Sequence, residues 1–302
     1  VVPMDIEDGS SLILKSQSTS GSSPLYDAIL FLEGIDSQIM VTDQLMSNNL
    51  ILENFIVNNV SLPINPLDSN IEEIFNDISI IFISNDQGQY YIPSTNTNTL
   101  ESWNIAKGYK VLISGSNQES IAIEGQSIDL NNTPIYLEPF LLNNISYLAQ
   151  DPSSVEDQFG EVPVVLISDD QGDYYIPSLN VNTIDLNGGM QTGKGYEVLL
   201  SGVEPVEFFY SEPESDLSFD RNLDLDYDSN YSDIIQTGIS HPIVIESLSG
   251  FVFEGDELVV YANNQPVGSS SVNLDDNNLI VAWKSLHEHG VNTPGYHDGD
   301  LI

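Results

Sequence analysis

The sequence predicts an all-β protein: tandem small β domains made of a duplicated, hairpin-rich repeat, followed by a β-sandwich module. Three observations predict it. Short runs such as "ISIIFIS", "YKVLISG", "VPVVLIS" and "HPIVIES" are rich in β-branched and aromatic residues and are bounded by Gly, Asn, Asp or Ser, the composition of strands on a half-buried pleated surface. Nearly the same nine residues occur twice, "DQGQYYIPS" at 86–94 and "DQGDYYIPS" at 170–178. Only "SNIEEIFND" and "SSVEDQFG" read as helical turns, each opened by a capping Ser or Asp with acids in the first turn.

In chain order, residues 1–45 read as a strand, a Gly-Ser-rich loop and another strand with no partner repeat of their own. Residues 46–130 and 131–210 hold the two repeats. Residues 211–236 are acidic and poor in large aliphatic side chains, which suits a linker. Residues 237–302 read as a run of about five strands, ending at "HDGDLI", where another strand is expected to begin. A sandwich lacking strands exposes an open edge, so residues 1–35 are expected to complete a module of the 237–302 type in a neighbouring copy or a longer parent chain.

The flanks of the repeated motif repeat as well. "ENFIVNNVSLPINPLDSNIEEIF" from Glu53 is echoed by "EPFLLNNISYLAQDPSSVEDQF" from Glu138, and "KGYKVLISG" from Lys107 by "KGYEVLLSG" from Lys194. Pro93 and Pro177 are 84 residues apart and Tyr109 and Tyr196 are 87 apart, so the second copy carries three extra residues. They fall in "NTIDLNGGMQTG", read as a loop. "SNDQG" and "SDDQG" join two strands, with Gly88 and Gly172 where a tight hairpin needs positive φ. The tyrosine pairs that follow point to opposite faces of the returning strand, one ring inward and one outward. Pro93 and Pro177 end that strand, and the glycine of each Lys-Gly-Tyr is expected to turn the chain into the last strand. Duplication with this turn chemistry marks architecture rather than catalysis.

The order of an Asn-Asn-(Ile/Val)-Ser strand, (Asn/Asp)-Asp-Gln-Gly, Tyr-Ile-Pro, Asn-Thr-(Leu/Ile) and Gly-Tyr-(Lys/Glu)-Val over 53–122 and 138–210 resembles the duplicated β modules of large secreted surface proteins of marine Bacteroidota. Where those modules open on Gly-Trp-Asn, this chain has Asn54-Phe55 and Pro139-Phe140. Gly255 to Val260, Val267-Gly268 and Ala282-Trp283 resemble a second β-sandwich module of the same kind of protein. The resemblance implies secretion of the type IX kind, an extracellular or cell-surface location and an adhesin or filament role.

Composition narrows the partners. With 46 acidic and six basic residues, the formal net charge is -40. Such a surface repels phosphate backbones and anionic lipid and favours cations or a saline medium, so nucleic acid is not an expected partner. No cysteine is present, which excludes disulfides and thiolate chemistry. No apolar run approaches the roughly 20 residues of a membrane helix, so no membrane insertion is expected. The start of the sequence carries no signal-peptide pattern, and Val1 reads as a processed or internal start.

Three groups of residues are candidates for binding. Asp224, Asp226 and Asp228 alternate along an extended backbone and put three carboxylates on one face, a possible calcium site. The EF-hand pattern fails there, with Ser229 in place of its glycine and Ile235 at its twelfth position. His287, His289 and His297, beside Asp298 and Asp300, crowd a Gly-Pro-rich loop; an extended strand would aim His287 and His289 the same way, as ligands to zinc or a similar ion must be. The outward rings among Tyr90, Tyr91, Trp103, Tyr174 and Tyr175 are candidates for stacking on sugars. No Gly-x-Ser-x-Gly, phosphate-binding loop or His-Glu-x-x-His occurs, and Ser240 and His241, adjacent on a strand, face opposite ways. No catalytic residue is assigned. The expected role is non-enzymatic: a stalk, filament or adhesin segment that associates with copies of itself or with neighbouring modules by strand complementation. The alternative is a glycan-binding accessory region of a secreted polysaccharide-acting protein.

Overall fold

In this computed structural model, which describes residues 45–115, 118–213 and 230–302, the chain is nearly all β with three short helices. The first repeat runs β1 (Met46–Leu52), β2 (Val57–Val60), β3 (Ile64–Pro66), helical turn α1 (Ile71–Ile74), β4 (Ile80–Ser84), β5 (Tyr90–Ile92), β6 (Thr97–Asn98), β7 (Tyr109–Ile113) and β8 (Glu119–Ser127). The second runs β9 (Ile135–Leu137), β10 (Leu142–Ser146), α2 (Val155–Phe159), β11 (Val164–Ser168), β12 (Tyr174–Ile176), β13 (Val181–Asn182), α3 (Thr183–Leu186), β14 (Gly195–Leu200) and β15 (Val206–Phe208). Each repeat contains one five-stranded antiparallel sheet, ordered β2-β7-β4-β5-β6 and β10-β14-β11-β12-β13, with smaller sheets β1-β8-β3 and β15-β9.

Register repeats with strand order. Val57 lies opposite Leu112 as Leu142 lies opposite Leu199, and both sheets slip register at the same place, after Ile80 and after Val164. The hairpin glycines are as expected, with φ 74° at Gly88 and 84° at Gly172. Inward residues of each sheet build a core. In the first repeat it centres on Leu52, Ile64, Ile71 and Val111, with Trp103 against Tyr109 at 4.2 Å. In the second it is aromatic, with Tyr147, Phe159, Tyr196, Phe208 and Tyr210 meeting edge-on or stacked.

A buried asparagine sets the entry to each sheet. Asn58 Oδ1 accepts from Glu53 N at 2.7 Å, and its Nδ2 donates to the carbonyls of Glu53 and Ile56 at 2.9 Å. Asn143 makes the same bonds to Glu138 and Leu141. One carboxamide thus satisfies a loop whose backbone turns through positive φ at Phe55 and Phe140.

The helical turns differ in detail from expectation. Asn70 caps α1, its side chain accepting from Glu72 N, while Ser154 caps α2. The stretch that carries the three extra residues of the second repeat opens with α3 rather than being a loop throughout. Asn182 caps this helix, and Asp185 accepts from Ser154 Oγ and Val155 N at 2.7 Å, tying α3 to the start of α2. Those tertiary bonds give a four-residue turn stability that its local sequence lacks.

Residues 237–302 contribute four strands rather than five: β16 (Ser240–Ile245), β17 (Glu257–Ala262), β18 (Gln265–Ser271) and β19 (Asn278–Trp283). They pair as β16-β19 and β17-β18 around Val260, Ala262, Val267, Ile280 and Ala282, a small β-sandwich core. Met46–Ile302 form one compact unit, because this module lies directly on both repeats. On the first, Ile239, Leu286 and Val291 seal Val57, Phe82 and Leu112. On the second, Val244, Leu279 and Val281 cover Tyr174, Ile176 and Val181. Tyr174 Oη and Ser240 Oγ are 2.6 Å apart. Residues 1–35, expected to complete a sandwich, lie outside the described residues.

Candidate functional site

The repeated motifs converge on the joint between the two repeats. Asp86, the Asp of the first Asp-Gln-Gly, accepts through Oδ2 from Lys107 Nζ at 2.8 Å and from Asn144 N of the other repeat at 3.1 Å. Asp170 does the reciprocal: Lys194 Nζ donates to Oδ1 at 2.7 Å and Asn59 N of the first repeat donates to Oδ2 at 2.8 Å. Each hairpin tip therefore plugs the edge strand of the opposite sheet, β10 for Asp86 and β2 for Asp170. Backbone bonds follow the same exchange, with Gly108 N to Asn144 O at 3.0 Å and Ser61 N to Gly193 O at 2.9 Å. This is the self-complementary pattern of a two-fold interface, made within one chain, and it covers sheet edges that would otherwise invite pairing.

The Lys-Gly-Tyr glycines serve this joint, which corrects their reading as turn residues. Neither has positive φ. A Cβ at Gly108 would meet Asn144 Oδ1 and lie 2.8 Å from Ile145 O, and one at Gly195 would lie 2.5 Å from Asn59 Oδ1. Only a residue without a side chain lets the strands approach. The following tyrosine fixes the loop ahead of it: Tyr109 Oη accepts from Asn104 N at 2.8 Å and Tyr196 Oη from Gln191 N at 2.7 Å.

Charge is concentrated here. Lys15 and Arg221 lie outside the described residues, and of the four basic residues within them, Lys107, Lys110 and Lys194 sit at the joint. Lys110 bridges to Glu197 at 2.8 Å. In a chain of net charge -40, cations at the one place where two acidic bodies meet offset their repulsion. The two hairpin tips differ in one respect. Asn85 and Gln89 share a neutral hydrogen bond in the first repeat, whereas Asp169 and Asp173 occupy those positions in the second. Burial, then the neighbouring Asp170 and Asp173, push the Asp169 carboxyl up to about 7, with Lys194 opposing them.

The candidate glycan-stacking rings are mostly not on the surface. Tyr90 is exposed and Tyr91 packs against the first core. Trp103, Tyr174 and Tyr175 are at most 7% exposed, so none of the three can stack on a sugar. Tyr175 and Trp103 fill the two cores. Tyr174 does point outward from its sheet, as expected, but the C-terminal module covers that face.

His287, Glu288 and His289 form a single turn of 3-10 helix instead of a strand, because Ser285 Oγ and the Thr293 hydroxyl hold the chain ahead of it. The turn separates the histidines. His289 packs its ring on Phe82 at 4.4 Å, and burial lowers its pKa. His287 and His297 stay neighbours, ring centres 6.2 Å apart, while Asp298 is taken by Lys284 at 2.9 Å. Among the described residues no group of three His, Asp or Glu is placed to hold a metal ion. Asp224, Asp226 and Asp228 lie outside them.

No helix among the described residues is long and apolar enough to cross a membrane. No protein-family model, curated protein or solved structure matches this chain.

Proposed function

We propose that this chain is a structural and adhesive segment of an extracellular surface protein, acting by self-association or attachment rather than by catalysis. The observation that carries the reading is where the repeated chemistry goes. Asp86 and Asp170, each held by a lysine of its own repeat, and both Lys-Gly-Tyr glycines are consumed in locking one repeat to the other, and Tyr174 and Trp283 are consumed in docking the C-terminal module. Motifs spent on joints supply a rigid body. The resemblance to secreted β modules agrees with it, and the acidic surface keeps copies apart until salt or a cation screens them. Partners are copies of the chain or neighbouring modules meeting by strand complementation, and calcium is the cation proposed for the 220–233 region.

The test is electron microscopy of the purified chain across a salt series, with a glycan array in parallel. Ordered assemblies in salt and an inert array are the expected result. Glycan binding with no assembly at any salt would overturn the reading in favour of a carbohydrate-binding role.

A further inference from the structure

In the first repeat, Thr237 O accepts from the β2 edge at Val57 N, 2.9 Å away, and Val57 is fully buried. The crossing is close: a Cβ on Gly238 would run into the Val57 backbone. Duplication places Leu142, Leu199 and Leu166 where the first repeat has Val57, Leu112 and Phe82, in the same register. No segment among the described residues crosses Leu142 as Thr237 crosses Val57. Leu142 is 45% exposed, and the preceding Leu141 and Phe140 are 60% and 75% exposed. Leu142 is thus the open twin of an occupied position, next to Phe140, whose own twin Phe55 is also exposed at 43%. Through Leu166 this strip is continuous with the established interface under Val244, Leu279 and Val281.

A second unpartnered apolar group lies on the loop after β16, where Phe251 is 98% and Phe253 66% exposed. The loop is held in place, with Phe253 N donating to Asp256 Oδ2 at 2.9 Å and Gly255 N to Val272 O at 3.0 Å. It leaves the end of β16 where Ile245 pairs with Asn278. Next to that pair, Asn277 Nδ2 donates to Leu179 O, which precedes β13. Leu142 belongs to β10, the opposite edge of the same sheet, four strand spacings or about 19 Å away. Among the described residues, neither apolar group therefore covers the other within one chain.

We propose that the two surfaces are the halves of one contact between copies, the Phe251–Phe253 loop of one chain seated on the Phe140–Leu142 edge of the next. The two halves are different, so the contact is head-to-tail and propagates as a line. The proposal rests on the self-association reading above and names its interface. Charge opposes it at low salt, because a net charge of -40 acts over about 10 Å at 0.1 M but only about 3 Å at 1 M.

Sedimentation velocity of the full chain in 1 M NaCl, over a concentration series, reads the contact. The wild type grows beyond monomer, while Leu142→Glu and Phe251→Ser each remain monomeric. An equimolar mixture of the two variants forms dimers and stops there, since one keeps its loop and the other its edge. Phe140→Ser repeats the edge test at a side chain with little role in the fold. If the wild type and all variants associate alike, the copies meet elsewhere: the proposal falls and the self-association reading stands. If the wild type stays monomeric at every salt concentration, both fall. A drop of several degrees in the melting temperature of Leu142→Glu, with association unchanged, shows the edge already covered by its own chain and also overturns the proposal.

Discussion

Replacing Lys107 by Met tests whether the motif lysines hold the aspartates that bridge the repeats. The Lys107 side chain is 18% exposed and its partner Asp86 8%. Among the described residues Asp86 Oδ1 has no hydrogen-bond partner, so the ammonium is the main charge answering this carboxylate. Methionine keeps much of the apolar stem and removes only the charge. Breaking a buried pair from one side costs roughly 3–5 kcal/mol, and the partial exposure of Lys107 lowers that to about 2–3 kcal/mol. At about 2–4 °C per kcal/mol for a body of this size, the melting temperature should fall by about 5–10 °C. Asp86→Asn in the same background keeps an acceptor for Asn144 N and removes the stranded charge. The double variant should therefore recover at least ~1 kcal/mol relative to the sum of the single changes, read by urea unfolding in a double-mutant cycle. A Lys107→Met melting temperature within about 1 °C of wild type, or strict additivity, would refute the clamp.

Other outcomes follow from the same geometry. Gly195→Ala pushes a methyl group onto Asn59 Oδ1 and should cost about 1–3 kcal/mol as overpacking, whereas Gly88→Ala, with open space around it but φ 74°, should cost about 1 kcal/mol; equal losses would remove the close-approach argument. Asp169 is raised above its unfolded value, so the folded state holds the extra proton, and its contribution to stability declines as pH rises from about 4 through about 7. Asp169→Asn should hence stabilise the chain more at pH 8 than at pH 5, by a few degrees in calorimetry, and the reverse order would contradict the burial of that carboxyl. Tyr174→Phe strands Ser240 Oγ under the docked module and should lose about 1 kcal/mol, while an unchanged urea midpoint would mean that this bond adds nothing.

Strand composition, the duplicated turns and the three-residue insertion were legible in the sequence because they depend on neighbours a few residues apart. Hairpin glycines need positive φ and Val-Ile-Leu runs need a buried face, wherever the sheet sits. The purpose of the motifs was not legible. Asp86 and Asn144 are 58 residues apart and Asp170 and Asn59 are 111 apart, so their pairing exists only once both sheets have formed and met. One signal pointed to it: the scarce lysines recur after the repeated aspartates in both copies, 21 residues on in the first and 24 in the second. The stretch carrying the insertion read as a loop because α3 is stabilised by Asp185 bonding to α2 rather than by its own propensity. Tyr90 and Tyr174 are the same residue of the same motif, yet one is exposed and the other 2% exposed. Local sequence set the direction of each ring, outward from the sheet. Which outward face would be covered was decided by the C-terminal module, which lies across the joint in one orientation and so breaks the two-fold likeness the duplication created.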